Sequence, residues 1–170
     1  MEVIVPQQIP WKSVVITDAN IDDVEEELGV SFPAQYRDFL LLYNGGEPQS
    51  PVGLFHNGID KNTGSPTTTG LESVAYFLGI GMGKYYGLEA TYNKYKRDLP
   101  DTLFPIGIGF AENIILLALT GPNEGRVYWW TGRRDDAPLL VATDLVDLLS
   151  EDIEEGPLQA AEQKRRDGQA

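Results

Sequence analysis

The sequence contains no cysteine, a single histidine and no apolar run long enough to cross a bilayer. The missing cysteines exclude a disulfide scaffold and thiol chemistry, so we expect a reducing, cytoplasmic environment. His56 has no second histidine or cysteine with which to share a metal ion, and no serine or cysteine motif to activate. We therefore predict an ordinary surface position for His56, no metal, no cofactor and no membrane association.

Basic residues are also scarce. The chain has 13 Lys and Arg against 26 Asp and Glu, which gives a net charge of −13 and a pI near 4.3. Nucleic acids and anionic membranes are bound by clustered lysines and arginines, so direct binding to either is not expected. The same charge is compatible with a basic protein partner, although solubility alone explains it equally well.

The length of 170 residues suits one domain with a core of its own. We predict that residues 1–156 form this domain and that residues 157–170 are a polar, mobile tail with transient helix near 158–166. The first 16 residues are expected to be an irregular entry segment with a short strand. Trp11 within it is expected to pack on the helices that follow, the alternative being a ligand-stacking role. The sequence does not indicate an oligomeric state.

Residues 21–46 carry the clearest helix punctuation in the chain. The pattern predicts a first helix that begins at Asn20, with Asp23 as its capping-box partner, and ends at Gly29. A second helix is expected to open at Pro33 and to stop at residues 44–46, Asn-Gly-Gly. It should be buried on most sides, because little of its surface is polar. Its apolar positions are Tyr36, Phe39, Leu40, Leu41, Leu42 and Tyr43.

This stretch resembles the opening signature of the SUKH superfamily. The residues that carry the resemblance are Leu28-Gly29, Phe32-Pro33, Tyr36, Phe39-Leu40 and Asn44-Gly45-Gly46, with Glu25 where members usually have a glutamate. The superfamily includes fungal cell-wall-assembly regulators and many bacterial immunity proteins that neutralise polymorphic toxins. The resemblance implies a single α+β domain. In it, an N-terminal helical pair packs against a mainly antiparallel twisted sheet, and a C-terminal helix follows.

The centre of the sheet is expected in residues 104–130. A Phe-Pro-Ile-Gly entry at 104–107 precedes an apolar run at 113–119, and a Gly- and Pro-containing turn separates that run from Arg126–Trp130. These features predict an antiparallel hairpin with a largely buried first strand. They are also similar to the superfamily, but Thr131-Gly132 replace a frequent Asp-His pair and the usual entry-loop aspartate is absent. Whatever those polar residues do in relatives is therefore not carried over.

The remaining segments are assigned from local pattern. Residues 56–70 have the composition of an exposed loop, and the residues after them indicate a strand near 74–78. Residues 79–84, Gly-Ile-Gly-Met-Gly-Lys, fail both phosphate-binding spacings, so we predict only a tight or flexible turn. The last assignments are a helix over 88–97, a strand over 139–142 and a helix over 144–153 capped by Thr143.

No constellation of residues in the sequence predicts catalysis, since the carboxylate runs fall on helix faces that should be solvated. The leading hypothesis is a non-enzymatic immunity protein that binds a basic bacterial toxin domain, such as a nuclease or a deaminase. One alternative is a regulatory scaffold domain without a toxin. Another is a small-ligand binder that uses aromatic residues near 81–87 and Trp129. The predicted partner-binding residues are Asp22, Asp23, Glu26 and Glu27, with Asp135 and Asp136 as a second group.

Overall fold

The computed structural model describes residues 15–48, 51–100, 102–149 and 157–168. Trp11 and the other residues of 1–14 lie outside this range, as do residues 150–156. The described elements, in chain order, are α1 Asp18–Leu28, α2 Ala34–Tyr43, β1 Gly53–Ile59, β2 Pro66–Phe77, α3 Gly83–Tyr86, α4 Leu88–Tyr95, β3 Leu103–Gly109, β4 Ile114–Ala118, β5 Val127–Trp130, β6 Leu139–Ala142, α5 Leu145–Leu149 and α6 Pro157–Gly168.

The strands form one six-stranded sheet in which each strand pairs with its sequence neighbours, in the order β1-β2-β3-β4-β5-β6. Every pairing is antiparallel. The two edge strands also approach each other: Nδ1 of His56 on β1 lies 2.9 Å from the carbonyl oxygen of Leu140 on β6. The predicted α+β architecture is confirmed, whereas the ordinary surface position predicted for His56 is wrong.

The core covers both faces of β4. Ile115 and Leu117 belong to the large cluster that includes the buried side chains of α1 and α2, while Ile114 and Leu116 pack with Trp130 in a second, smaller cluster. A strand covered on both faces has no polar alternation, which explains the continuous apolar run seen in the sequence. The predicted hairpin of a buried strand and an aromatic strand is confirmed as β4 and β5.

Helix α1 begins earlier than predicted. Thr17 is its N-cap, and the backbone N–H of Asn20 donates to the Thr17 hydroxyl at 3.4 Å, while the Asn20 amide oxygen accepts from the Thr17 backbone N–H at 2.9 Å. Asn20 is thus the partner in this capping box and Asp23 is not, because Thr17 offers the same cap three residues upstream. The predicted end at Gly29 is confirmed by its left-handed φ of 69°.

Helix α2 follows Pro33, which is the residue before the helix and has extended ψ. Tyr36, Phe39, Leu40 and Tyr43 are buried, as predicted. Leu41 and Leu42 are 38% and 43% exposed, so the expectation of burial on most sides is wrong. The helix ends at Asn44, whose φ of 43° turns the chain away.

Residues 56–70 are a hairpin, and the predicted loop is wrong. Strands β1 and β2 pair from Gly53↔Ser73 to Ile59↔Pro66, and the turn between them is closed by the Asp60 N–H, which donates to the Ser65 carbonyl at 2.8 Å. The Asp60 carboxylate accepts from the N–H groups of Asn62 and Thr63. The outer part of this hairpin is exposed on both faces, so its sequence has the polar composition of a loop.

The C-terminal helices pack on the helical side of the fold. Asp144, and not Thr143, caps α5, since its side chain accepts from the Asp147 N–H at 2.7 Å. Helix α6 contacts α2, and its Leu158 is buried in the large core cluster. The Glu162 carboxylate accepts from Arg165 and Arg166, and Arg165 lies 4.0 Å from Asp38 on α2. This packing favours counting α6 with the domain, although the predicted boundary at residue 156 and the mobility of the tail stay predictions.

Candidate binding surfaces

Helix α1 carries six carboxylates in its eleven residues, and Arg37 of α2 divides them into two groups. The Arg37 guanidinium pairs with Glu25, with Asp18 at 3.1 Å and with Asp22 at 2.9 Å. Burial alone would lower the pKa of Arg37, but its bonds to Asp18 and Asp22 and the charge of Glu25 raise it overall. Asp22, a predicted partner-binding residue, is therefore already engaged within the protein.

The other three predicted residues of α1 form a separate stripe. Asp23, Glu26 and Glu27 are exposed and follow one another at i, i+3 and i+4, so they share one side of the helix. No ion pair to any of them occurs among the described residues. Glu26 and Glu27 lie in the last turn, where a negative charge opposes the helix dipole by about 0.3–1 kcal/mol. We call Asp23, Glu26 and Glu27 the acidic stripe.

The second predicted group lies elsewhere, in the turn between β5 and β6. Asp135 and Asp136 are both exposed. Asp136 also has local bonds: its carboxylate accepts from the Thr131 hydroxyl at 2.7 Å, and its carbonyl oxygen accepts from Nε1 of Trp130 at 3.0 Å. Asp136 thus helps to shape its own turn, and Asp135 is the freer of the two to meet a partner.

Glu25, the glutamate of the family signature, links α1 to α2. Its carboxylate accepts from the Phe32 backbone N–H at 2.6 Å and pairs with Arg37. The Phe32 N–H belongs to the connection just before α2, where no helical carbonyl is available to it. Glu25 is therefore a structural residue that holds the helical pair together.

The Asn44-Gly45-Gly46 signature joins the end of α2 to the end of β2 and to the residues that follow β2. The buried Asn44 side chain donates to the Ile80 carbonyl at 2.9 Å and accepts from the Ile80 N–H at 2.7 Å. Gly46 pairs with Phe77 through two backbone hydrogen bonds, Gly46 N–H to Phe77 oxygen at 3.1 Å and Phe77 N–H to Gly46 oxygen at 2.8 Å. The motif predicted as a helix stop is thus also the clamp on residues 77–80.

Residues 79–87 border a surface cleft of about 320 Å³. It lies where α3 and α4 meet the end of β2 and the turn between β3 and β4. Two lysines, three tyrosines and one carboxylate supply most of its polar surface. The lining residues are Tyr76, Lys84, Tyr85, Ala90, Thr91, Lys94, Tyr95, Ile108 and Glu112.

The tyrosines of the cleft hold its lysines. The Lys84 ammonium lies 5.6 Å from the centre of the Tyr85 ring, and the Lys94 ammonium lies 5.1 Å from the centre of the Tyr95 ring, both within reach of a cation–π attraction. Burial raises the pKa of the Tyr76 phenol, and the nearby Tyr86, Glu112 and Tyr95 add to that shift. This environment disfavours the phenolate form of Tyr76.

Sequence reasoning pointed to this region only through its aromatic residues. The structure adds Lys94 and Glu112, and it places Trp129 in a different role, since its Nε1 donates to Glu72 at 2.7 Å. Glu72 also accepts from the Ala111 N–H and the Asn113 side chain, so it fixes the turn that carries Glu112. The repeated Lys-Tyr dipeptides at 84–85 and 94–95 were the available signal, but their approach depends on the turn between α3 and α4.

Removal of the Tyr36 hydroxyl, which lies in the large core cluster, is expected to stabilise the protein. This group is completely buried, and within the described part of the chain neither it nor Oε1 of Glu89 has a hydrogen-bond partner. Burial, followed by the charge of Glu89, raises the pKa of Tyr36 far above its usual range. A buried hydroxyl without a partner costs about 1 kcal/mol or more, so Tyr36→Phe should raise the free energy of unfolding by about 1 kcal/mol in urea titrations.

The control for this prediction is Tyr43→Phe on the same helix face, where the side chain is 9% exposed and a change below about 0.5 kcal/mol is expected. A loss of stability in Tyr36→Phe would contradict the prediction, because it would show that the hydroxyl donates to Glu89.

No helix among the described residues has the length and apolar character needed to span a membrane.

The family model described as SMI1 / KNR4 family (SUKH-1) matches residues 15–151. This match covers most of the chain, and it confirms the resemblance first seen in residues 21–46. Searches of curated proteins and of solved structures returned no match.

Proposed function

The chain belongs to the SMI1/KNR4 family (SUKH-1), and from this premise we propose that it is an immunity protein that binds and neutralises a basic bacterial toxin domain. Membership of this family is consistent with a protein-interaction module. The toxin is the finer step, and we infer for it a domain that acts on nucleic acid, such as a nuclease or a deaminase. Such domains carry a basic surface for the phosphate backbone.

The acidic stripe is the observation that carries this proposal. Its three carboxylates are exposed and, among the described residues, have no ion-pair partner. Glu26 and Glu27 lie at the helix end where the dipole disfavours a negative charge, so the fold itself does not favour carboxylates at these two positions. A basic partner would be drawn to this stripe, and the carboxylates would occupy the place of phosphates on its surface.

The primary experiment is co-expression with the polypeptide encoded by the neighbouring gene. Cells that express the neighbour alone should die, cells that express both should survive, and the two polypeptides should co-purify. Survival without the protein, or a neighbour with no toxicity, would contradict the immunity proposal and favour a regulatory scaffold domain in its place.

Neutralising the acidic stripe should slow association with the partner. We expect the pair Glu26→Gln and Glu27→Gln to lower the association rate about ten-fold at low salt, and we expect salt to lower the rate of the unchanged protein by a similar factor. Stopped-flow mixing with the purified, inactivated partner between about 0.05 and 0.5 M NaCl measures both effects.

Two matched variants separate a local effect from net charge. Glu124→Gln with Asp167→Asn makes the same change in net charge at exposed residues of the β4–β5 turn and of α6. Asp135→Asn with Asp136→Asn tests the second predicted group. An equal loss of rate in the Glu124 and Asp167 pair would show that only the overall charge matters, and the stripe would then not be the contact surface.

A further inference from the structure

The cleft between α3, α4 and the β3–β4 turn has the opposite charge to the rest of the molecule. Lys84, Lys94 and Glu112 sum to +1 at this cleft, in a chain whose net charge is −13. Acids outnumber bases by two to one overall, so two lysines that line one cleft beside a single carboxylate are unexpected. This local reversal of sign is the starting point for a second contact site.

The two lysines are available to a partner. Neither ammonium lies within 4.0 Å of a carboxylate in the part of the chain that the structure describes. By contrast, Arg37, Arg134 and Arg165 are all within that distance of the protein's own acids. The two ammoniums lie near the rings of Tyr85 and Tyr95, whose cation–π attraction leaves the positive charge open to an anion.

Two exposed aromatic side chains accompany the cleft, Tyr85 in its lining and Phe110 in the turn that carries Glu112. Tyr85 is 68% exposed and Phe110 is 73% exposed, and Phe110 lies two residues before Glu112 in the same turn. Its backbone N–H donates to Ser73 at 3.1 Å, so the turn that presents this ring is held to β2. Exposed aromatic side chains on a fixed backbone are the residues that most often become energetic centres of interfaces.

In the loop beside the cleft, the backbone N–H groups of residues 79–81 are already used within the protein. A phosphate site needs several free backbone N–H groups that point at the anion. Here those of Gly79, Ile80 and Gly81 donate to Tyr86, Asn44 and Glu89, and that of Gly87 donates to Gly83. The charged groups that line the cleft and can attract an anion are the two lysine ammoniums, and Glu112 beside them disfavours a dianion more than a single carboxylate.

We propose that this cleft receives a carboxylate-bearing segment of the bound protein, with its acidic side chains on Lys84 and Lys94 and its flanking residues against Tyr85 and Phe110. The proposal rests on the proposed function to the extent that the chain binds a protein. The cleft volume of about 320 Å³ suits a few side chains of such a segment. A partner would then be held at two places of opposite charge, the acidic stripe and the lysine cleft, which fixes its orientation.

The test uses the ¹⁵N-labelled full chain and three probes: an acetylated, amidated hexaglutamate peptide, the matching hexalysine peptide, and inorganic phosphate. We expect hexaglutamate alone to shift the amide resonances of Lys84, Lys94 and Phe110. Lys84→Gln with Lys94→Gln should weaken this binding about ten-fold, while Lys61→Gln with Lys164→Gln, which makes the same charge change at exposed sites, should leave it unchanged. The dispersion of each spectrum shows that the variant is folded.

Three results would overturn the proposal: equal shifts with phosphate, shifts spread over the surface, or no local shifts at roughly 10 mM peptide, where even a weak site of about 1 mM would be mostly filled. The peptide titration needs no toxin, so it is independent of the co-expression assay. If hexaglutamate gives local shifts but the polypeptide encoded by the neighbouring gene is not toxic, the cleft proposal is supported and the immunity proposal is contradicted. If the variant Lys84→Gln with Lys94→Gln still rescues cells and binds the toxin with unchanged affinity, and hexaglutamate gives no shifts, immunity is supported and the cleft proposal is contradicted.

Discussion

Replacing Gly79 by alanine is expected to destabilise the protein by about 4 kcal/mol, a large effect for a single added methyl group. A Cβ at this position would overlap the carbonyl oxygen of Asn44 and would lie 2.8 Å from Cγ of Met82. The Met82 side chain could move, but the Asn44 backbone could not, because its own side chain is bonded to both polar groups of Ile80. The clash is therefore with a backbone that is held from two sides.

Thermal and urea unfolding measure this effect. For a chain of this length a loss of about 4 kcal/mol lowers the melting temperature by roughly 10 °C. Gly58→Ala in β1 is the control, since its added Cβ meets only the His56 ring at 3.6 Å and should change stability by less than about 0.5 kcal/mol. Equal melting temperatures for the two variants would mean that the contact between residue 79 and Asn44 is looser than the structure shows.

This contact also shows how far the sequence could predict the fold. Asn44 and its two glycines were recognisable as a helix stop, because a left-handed residue after an apolar helix is a local signal. The partner of the Asn44 side chain is 36 residues away, and nothing near Ile80 marks it as a target. Local signals thus predicted the ends of α1 and α2, whereas the clamp depends on tertiary packing.

The same limit explains what was missed at the binding surfaces. The acidic stripe was predictable because helical spacing alone places Asp23, Glu26 and Glu27 on one side of α1. The ion pair between Asp22 and Arg37 was not predictable, because it depends on how α1 and α2 cross. The cleft lined by Lys84 and Lys94 could not be predicted, because it forms only where four elements meet in the folded protein. The β1–β2 hairpin was missed for a different reason: its outer part lacks the apolar alternation by which strands are recognised.

Glu72→Ala is expected to cost about 3 kcal/mol, although the side chain it removes is charged and lies near the surface. Its carboxylate accepts from the Ala111 N–H at 2.8 Å, from Nδ2 of Asn113 at 2.6 Å and from Nε1 of Trp129 at 2.7 Å. It therefore joins β2, the β3–β4 turn and β5. Gly109 is part of the same design, because a Cβ there would overlap the Glu72 carboxylate. Bonds to a charged acceptor are worth more than neutral ones, and alanine leaves all three donors without it.

Comparison with Glu72→Gln and with Trp129→Phe separates this network from simple loss of a side chain. Glutamine keeps one acceptor oxygen but turns an NH₂ group toward the remaining donors, so it should recover about half of the loss. The double mutant Glu72→Ala, Trp129→Phe should lose about 1 kcal/mol less unfolding free energy than the sum of the two single mutants, because each single mutation already removes the hydrogen bond that the two residues share. Strict additivity in urea unfolding would contradict the shared bond. Because this network sets the turn that carries Phe110 and Glu112, its loss should also weaken hexaglutamate binding, which links the stability of the sheet to the proposed lysine cleft.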